Sequence, residues 1–161
     1  MRPALSLLIL AAFTPSLALA DLTVSFRDGA PKDRFTLTYD GTCALDRLDV
    51  QIDLGTAPAG LIFDTSGAGA GVEVFQPLEW VAGNASTSDV SDGDTLLAVS
   101  LNEVTPGATW AFTVDIDDTT STRQITVDGS EMAGATLRAE GTSAVFDGTG
   151  AATVALNSCL S

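Results

Sequence analysis

Apolar and polar side chains alternate along most of this chain, and this period of two constrains the fold more than any other feature. Residues 110–118 give the clearest case, because every second side chain is large and apolar: Trp110, Phe112, Val114 and Ile116. The opposite face carries Ala111, Thr113, Asp115 and Asp117. Such alternation is typical of a half-buried β-strand, and no segment after the first twenty residues carries apolar residues at helical spacing over a sustained length.

Many short stretches of the chain fit this strand pattern. They are 22–26, 35–39, 48–54, 61–64, 72–80, 95–101, 108–116, 124–127, 135–139, 143–146 and 151–156. Asp-Gly and Pro-Gly pairs, which favour tight turns, separate many of them. Pro77 indicates an edge position or a bulge, and 83–94 is predicted to be a polar loop. We therefore expect an all-β fold, an antiparallel β-sandwich of immunoglobulin-like or Greek-key type.

The first twenty residues have the composition of a secretory signal peptide. Arg2 provides the positive start, 4–13 are apolar, and Ala18-Leu19-Ala20 matches the small-x-small cleavage pattern. We expect export through the general secretory route, cleavage after Ala20 and a secreted or periplasmic product. Residues 21–161 are then expected to form a single domain, and no later stretch is apolar enough for a membrane span.

The chain is strongly acidic, with 7 lysines and arginines against 21 aspartates and glutamates. Arg2 is the one charged residue of the predicted signal peptide, so the remaining domain carries 6 basic residues and a net charge of −15. Such a charge repels nucleic acid and anionic membranes, because binding to phosphate groups needs a basic surface. It suits cations, cationic partners or simple solubility, and we expect no nucleic-acid partner.

The sequence contains no histidine, which removes several kinds of active site. Ser-His-Asp and Cys-His catalysis need an imidazole, and zinc sites with histidine ligands are excluded too. The surviving schemes are a carboxylate pair, as in glycoside hydrolysis, and an activated Ser or Thr with Lys32 as the base. A carboxylate pair has little specificity among 21 acidic residues. We therefore expect a non-catalytic protein and keep a carboxylate-pair hydrolase as the third choice.

Acidic residues at the end of 110–118 provide a candidate cation site. Asp115 and Asp117 lie on one strand face, about 6.6 Å apart at about 3.3 Å per residue, and Asp118 follows directly. Calcium binds about six to eight oxygen atoms from carboxylates, carbonyls and water. The candidate metal ligands are thus Asp115, Asp117 and Asp118, with Asp64 and Glu131 as candidate partners from other strands. The alternative is a solvated acidic turn with Asp118 as an ordinary turn residue.

Two aromatic residues, Phe75 and Trp80, share the predicted edge strand 72–80 with Glu73 and Glu79. An aromatic ring on the solvent face of such a strand can stack on a sugar ring. Trp80 and Phe75 are therefore candidate ligand-binding residues of a carbohydrate-binding module, which is the second choice for the function. The alternative is that both rings belong to the core.

The chain has two cysteines, Cys43 and Cys159. In an exported protein such a pair is expected to form a disulfide. The bond would close a loop of more than a hundred residues, which the chain-entropy model values at roughly 4–5 kcal/mol. The spacing is unlike the C-x-x-C of a reactive thiol pair.

Four phrases of the sequence together carry a resemblance to a known family. They are GLIFDT at 60–65, GAGVEVFQP at 69–77, AFTVDIDDT at 111–119 and GSEMAGA at 129–135. The chain resembles exported bacterial proteins named aggregation factor core proteins, after the core of sponge cell-aggregation factors. The resemblance implies an extracellular adhesion or matrix role, calcium dependence, and a protein or polysaccharide partner at the cell surface. It coincides with the residue-based hypothesis at 115–118.

Overall fold

The computed structural model describes residues 20–66, 76–120 and 127–157. These residues form β-strands and one short 3-10 helix, η1 (Leu54–Thr56). The strands are β1 (Ala20–Arg27), β2 (Asp33–Tyr39), β3 (Leu45–Asp53), β4 (Leu61–Asp64), β5 (Glu79–Ala82), β6 (Ala85–Thr87), β7 (Leu96–Val104), β8 (Thr109–Asp118), β9 (Thr136–Ala139), β10 (Thr142–Val145) and β11 (Ala151–Leu156). The predicted all-β class is confirmed. Within these three ranges, no helix has the length and apolar character that a membrane crossing requires.

The strands form two antiparallel sheets that pack together as a β-sandwich. The first sheet has the order β11-β1-β2-β8-β4, with β5 also paired to β8, and the second has the order β10-β9-β3-β7-β6. Successive segments of the chain alternate between the sheets, since β3, β6–β7 and β9–β10 all belong to the second one. The sandwich predicted from the sequence is confirmed, and its finer immunoglobulin-like or Greek-key type stays a prediction.

The core lies between the sheets and follows from the alternation of side chains. Its largest fully buried members include Trp110, Tyr39, Phe35, Phe63, Phe112 and Phe146. The rings of Phe35 on β2 and Phe112 on β8 are stacked, with their centroids 5.0 Å apart. Strand β8 pairs with three strands of its sheet, because β2 pairs with one edge while β4 and β5 pair with successive segments of the other.

Most predicted strands are present within a few residues of their expected bounds, and β4 and β11 coincide with 61–64 and 151–156. The predicted strand 72–80 is wrong at 76–78, which are not in a strand, and 72–75 lie outside the described residues. The predicted strand 124–127 is wrong at Val127, which is not in a strand, and 124–126 lie outside the described residues.

The predicted polar loop 83–94 is wrong in one part, because β6 lies inside it. This strand pairs with β7 through the register Ala85↔Leu101 to Thr87↔Val99. Its three residues carry no apolar alternation, and short polar strands of this kind are common at sheet edges. The pairing with β7 therefore determines the strand, and local sequence does not.

Several predictions fall on parts of the chain that are not described. Residues 1–19 of the predicted signal peptide, Phe75 and Cys159 all lie outside the described ranges, and β1 begins at Ala20. The described part of the chain contains no free cysteine thiol. Export, cleavage after Ala20 and the Cys43–Cys159 disulfide therefore stay predictions.

Candidate metal centre

The pairing of β4 with β8 brings three aspartates together. Asp64 lies directly opposite Asp115 in the antiparallel register. Asp117, two residues further along β8, projects from the same face of the strand. Each of the three contributes a carboxylate oxygen, and these oxygens all lie within 4.8 Å of one another. Asp64, Asp115 and Asp117 are called the carboxylate centre below.

The carboxylate centre is largely shielded from solvent, although it lies on the face of β8 opposite to the core residue Ile116. Asp64 is 0% exposed and Asp117 is 1% exposed, whereas Asp115 is only half-buried. Both side-chain oxygens of Asp64 are buried, and no described residue donates a hydrogen bond to either. An ionised carboxylate in such a place is unfavourable by several kcal/mol, and a proton or a cation on Asp64 would reduce that cost.

The electrostatics of the centre favour the binding of positive charge. Burial raises the pKa of Asp64 to about 7, and the negative charges of Asp117, Asp92 and Asp115 add to this shift. Burial and the charge of Asp117 raise the pKa of Asp115 to about 6. A proton on Asp64 can be shared in a hydrogen bond with Asp117. A metal cation competes with that proton, because only the ionised carboxylate is a good ligand.

A fourth aspartate, Asp33, fixes the backbone of β8 between two members of the centre. Strand β2 begins at Asp33, and its ladder with β8 stops before Ile116. The buried Asp33 carboxylate takes the place of the next backbone acceptor for β8, because its Oδ2 accepts a hydrogen bond from the Ile116 nitrogen at 3.1 Å. Its Oδ1 accepts a hydrogen bond from the Gly29 nitrogen at 3.0 Å. Burial outweighs both bonds and raises the pKa of Asp33 to about 7. Because Ile116 lies between Asp115 and Asp117, Asp33 positions both carboxylates.

The chain directly after Asp64 is held by Asp92. Oδ1 of Asp92 accepts hydrogen bonds from the backbone nitrogens of Thr65 and Ser66, each at 2.7 Å. The hydroxyl groups of both residues also donate to this carboxylate. The bond from the Ser66 hydroxyl contributes most to lowering the pKa of Asp92. Asp92 therefore stays ionised near neutral pH, and it fixes the end of β4 while adding negative potential at Asp64.

The structure brings together two of the three predicted ligands and separates the third. Asp115 and Asp117 belong to the carboxylate centre, and Asp64, weighed as a partner from another strand, completes it. Asp118 is buried and lies opposite Leu61 within β8, so it is a strand residue on the other face rather than a turn residue. Glu131 lies in a separate turn, where its carboxylate accepts a hydrogen bond from the Asp128 nitrogen.

Sequence reasoning missed the supporting roles of Asp92 and of Asp33. Asp33 stands two positions before Phe35 and shares the alternation of Phe35, Leu37 and Tyr39, which places it on the inward face of β2. An aspartate at an inward position was the available signal. It was missed because the predicted strand began at Phe35, two residues too late.

The aromatic candidates do not form an exposed platform in the described part of the chain. Trp80 is opposite Phe112 in the β5–β8 ladder, and the two rings meet edge to face with centroids 5.2 Å apart. Trp80 packs against the core as a partly buried side chain. This position fits the core alternative better than the sugar-binding one, and Phe75 lies outside the described residues.

Fold and site together define an acidic, antiparallel β-sandwich with a buried carboxylate centre. In comparisons with known proteins, no protein-family model matches the chain, and neither a curated protein nor a solved structure matches it significantly. The geometry of the centre is therefore the main support for a functional proposal.

Proposed function

We propose that this protein is an exported, non-catalytic binding module of the cell surface or matrix whose carboxylate centre binds a divalent cation. The proposal depends above all on Asp64, a fully buried carboxylate that receives no hydrogen bond from the described residues. Two further carboxylates have oxygen atoms within 4.8 Å of its own. A bound divalent cation would be close to all three carboxylates and would neutralise two of their three negative charges.

The chemistry of the donors favours calcium. Carboxylates suit hard cations, whereas zinc and copper sites use histidine or cysteine ligands. Calcium accepts irregular shells of about six to eight oxygen atoms, while magnesium demands near-octahedral geometry and retains its water. Two β-strands can supply the irregular oxygen shell that calcium accepts more easily than the regular octahedron that magnesium demands. Asp115 is half-buried, so this side of the centre is open to water or to an oxygen atom of a partner.

The proposed role of the cation is to join β4 to β8 and to order the surface around them. The adhesion role rests on the resemblance to aggregation factor core proteins, in particular at 60–65 and 111–119. The first of these phrases contains β4, and the second contains all of β8 except its first two residues. Asp64 lies in the first phrase, and Asp115 and Asp117 lie in the second. The partner in this proposal is a protein or a polysaccharide outside the cell.

The same geometry gives less support to a carboxylate-pair hydrolase. Glycoside hydrolases place two carboxyl groups about 5–9.5 Å apart, on either side of a bond that enters from solvent. Within the carboxylate centre, Asp64 and Asp117 are buried, and Asp115 alone is partly exposed. A sugar chain cannot be flanked by carboxylates that it does not reach.

Equilibrium binding of calcium to the purified protein tests the proposal. We expect one calcium ion per chain, with affinity at least about tenfold lower after Asp64→Asn, which removes the charge and keeps the side-chain shape. Asp46→Asn is the matched control, because Asp46 is an exposed aspartate on the other sheet. The proposal fails if calcium does not bind, or if both variants bind it like the unmodified protein.

A further inference from the structure

Two arginines lie side by side on the outer face of the first sheet, in a chain with few basic residues. Arg27 on β1 is directly opposite Arg34 on β2, and both side chains are exposed. Like charges in directly opposite positions destabilise a sheet. The pair becomes more favourable when a negative charge lies close to both guanidinium groups.

Neither arginine has an ion-pair partner in the part of the chain that the structure describes. The ion pairs there join Lys32 to Glu79 and Arg47 to Asp49. The guanidinium groups of Arg27 and Arg34 are therefore available to an external anion. A guanidinium offers a planar fork of N–H donors that fits a carboxylate through two parallel hydrogen bonds.

The arginines line a groove that is larger than a simple ion. The groove has a volume of about 690 Å³ and is also lined by Ser25, Thr36, Thr149 and Asp28. This volume falls within the range of small-molecule sites. Ser25 and Thr36 form the next cross-strand pair on the same face, so hydroxyl groups lie beside the two guanidinium groups.

We propose that this arginine groove binds a sugar acid, a hydroxylated ring that carries one carboxylate. The carboxylate pairs with Arg27 and Arg34, while the ring hydroxyls exchange hydrogen bonds with Ser25 and Thr36. A ring hydroxyl can also donate to Thr149, whose own hydroxyl donates to Asp147. A single carboxylate suits the groove better than a polyanion, because the rest of the chain is acidic and Asp28 stands at the rim. The groove contains no residue of the carboxylate centre, so its binding does not require the cation.

Titration with glucuronate, followed by the chemical shifts of backbone amides, tests this proposal. Glucose and acetate serve as probes that lack the carboxylate and the ring, respectively. In the presence of a chelator, we expect saturable shifts along β1 and β2 with glucuronate, and affinities at least about fivefold weaker for either control probe. Arg27→Gln with Arg34→Gln should weaken glucuronate binding at least about tenfold. Arg138→Gln, at an exposed arginine of the other sheet, should not change it.

Each contrary result has a clear meaning. If acetate binds as tightly as glucuronate, the sugar ring does not contribute to binding. If glucose binds as tightly as glucuronate, the carboxylate does not pair with the arginines. If glucuronate causes no saturable shift, or if the double variant keeps full affinity, the groove is not the proposed site. The single variants Arg27→Gln and Arg34→Gln give the same test if the double variant does not fold. The chelator makes the result independent of calcium, so this proposal can fail while the cation site stands.

Discussion

Asp64 and Asp115 face each other directly across the β4–β8 ladder. Like charges in such positions destabilise a sheet, and the oxygen of Asp117 adds a third carboxylate within 4.8 Å of both. Positive charge shared among the three side chains, either as protons or as a cation, reduces this repulsion. The protein with and without a bound cation should therefore respond differently to pH.

Without divalent cations, the free energy of unfolding is expected to decrease as the pH rises from about 4 to about 7. Burial raises the folded-state pKa values of Asp33 and Asp64 to about 7, and that of Asp115 to about 6, from the ordinary value of 3.8. In this window the folded state holds more protons than the unfolded state, so a rise in pH favours unfolding. Urea unfolding in a chelator at about pH 4.5, 6 and 7.5 measures the slope.

Two controls separate this effect from other titrations. Saturating calcium should remove the part of the decline that comes from Asp64 and Asp115, and Asp64→Asn should reduce the slope in the chelator, whereas the part that comes from Asp33 should remain in both. The aspartates with lowered pKa values, among them Asp49 and Asp92, lose their favourable contribution only as the pH falls below the ordinary value. A free energy of unfolding that stays constant or rises between about pH 4.5 and 7.5 would contradict the burial argument.

Asp33→Ala is expected to destabilise the protein by roughly 2–4 kcal/mol, because two backbone N–H groups lose their acceptor. Those groups belong to Gly29 and Ile116, and the second is buried. Calcium affinity should fall as well, since β8 loses its anchor between Asp115 and Asp117. Urea unfolding gives the stability change, with Asp28→Ala as an exposed control from the same hairpin. Equal stability of the two variants would show that Asp33 has no anchoring role.

Gly83→Ala is expected to be clearly more destabilising than Gly107→Ala. The two glycines have similar positive φ angles, 82° and 78°, so the backbone strain of an alanine is nearly matched. At Gly83 a new Cβ would overlap the Trp110 ring, whereas at Gly107 it would meet no atom within 4 Å. The difference in free energy of unfolding should be roughly 1–3 kcal/mol. Equal losses would mean that the Trp110 ring moves aside freely.

The disulfide prediction is tested by counting thiols in the unfolded protein. If Cys43 and Cys159 are bonded, the unfolded but unreduced chain should react with no thiol reagent, and reduction should expose both groups. Reduction should also lower the free energy of unfolding, by up to roughly 4–5 kcal/mol for a loop this long. Labelling of both cysteines before reduction would exclude the bond.

Local sequence was sufficient for most of the fold. The alternation in 110–118 and in 151–156 predicted β8 and β11, because a period of two is imposed by burial of one face of each strand. It failed at β6, whose polar residues form a strand only because β7 pairs with them. The predicted strand 108–116 also ended too early, because the polar side chains at 117 and 118 indicated a turn. In the structure, pairing with β4 extends β8 to Asp118.

The carboxylate centre could be predicted only in part. Asp115 and Asp117 follow from strand periodicity alone, because both lie on the same face. The choice of Asp64 as their partner depends on the register of β4 against β8, a contact between distant parts of the chain that sequence spacing does not specify. The anchoring role of Asp33 depends in the same way on where the β2 ladder ends.

Calcium-dependent melting tests the central claim most directly. At about a hundredfold excess over its Kd, a ligand of the folded state adds roughly 2.7 kcal/mol of stability, which corresponds to a rise in Tm of roughly 5–10 °C for a domain of this size. We predict such a rise with calcium relative to chelator, and its loss in the double variant Asp115→Asn with Asp117→Asn. Identical melting with millimolar calcium and with chelator would contradict the cation site.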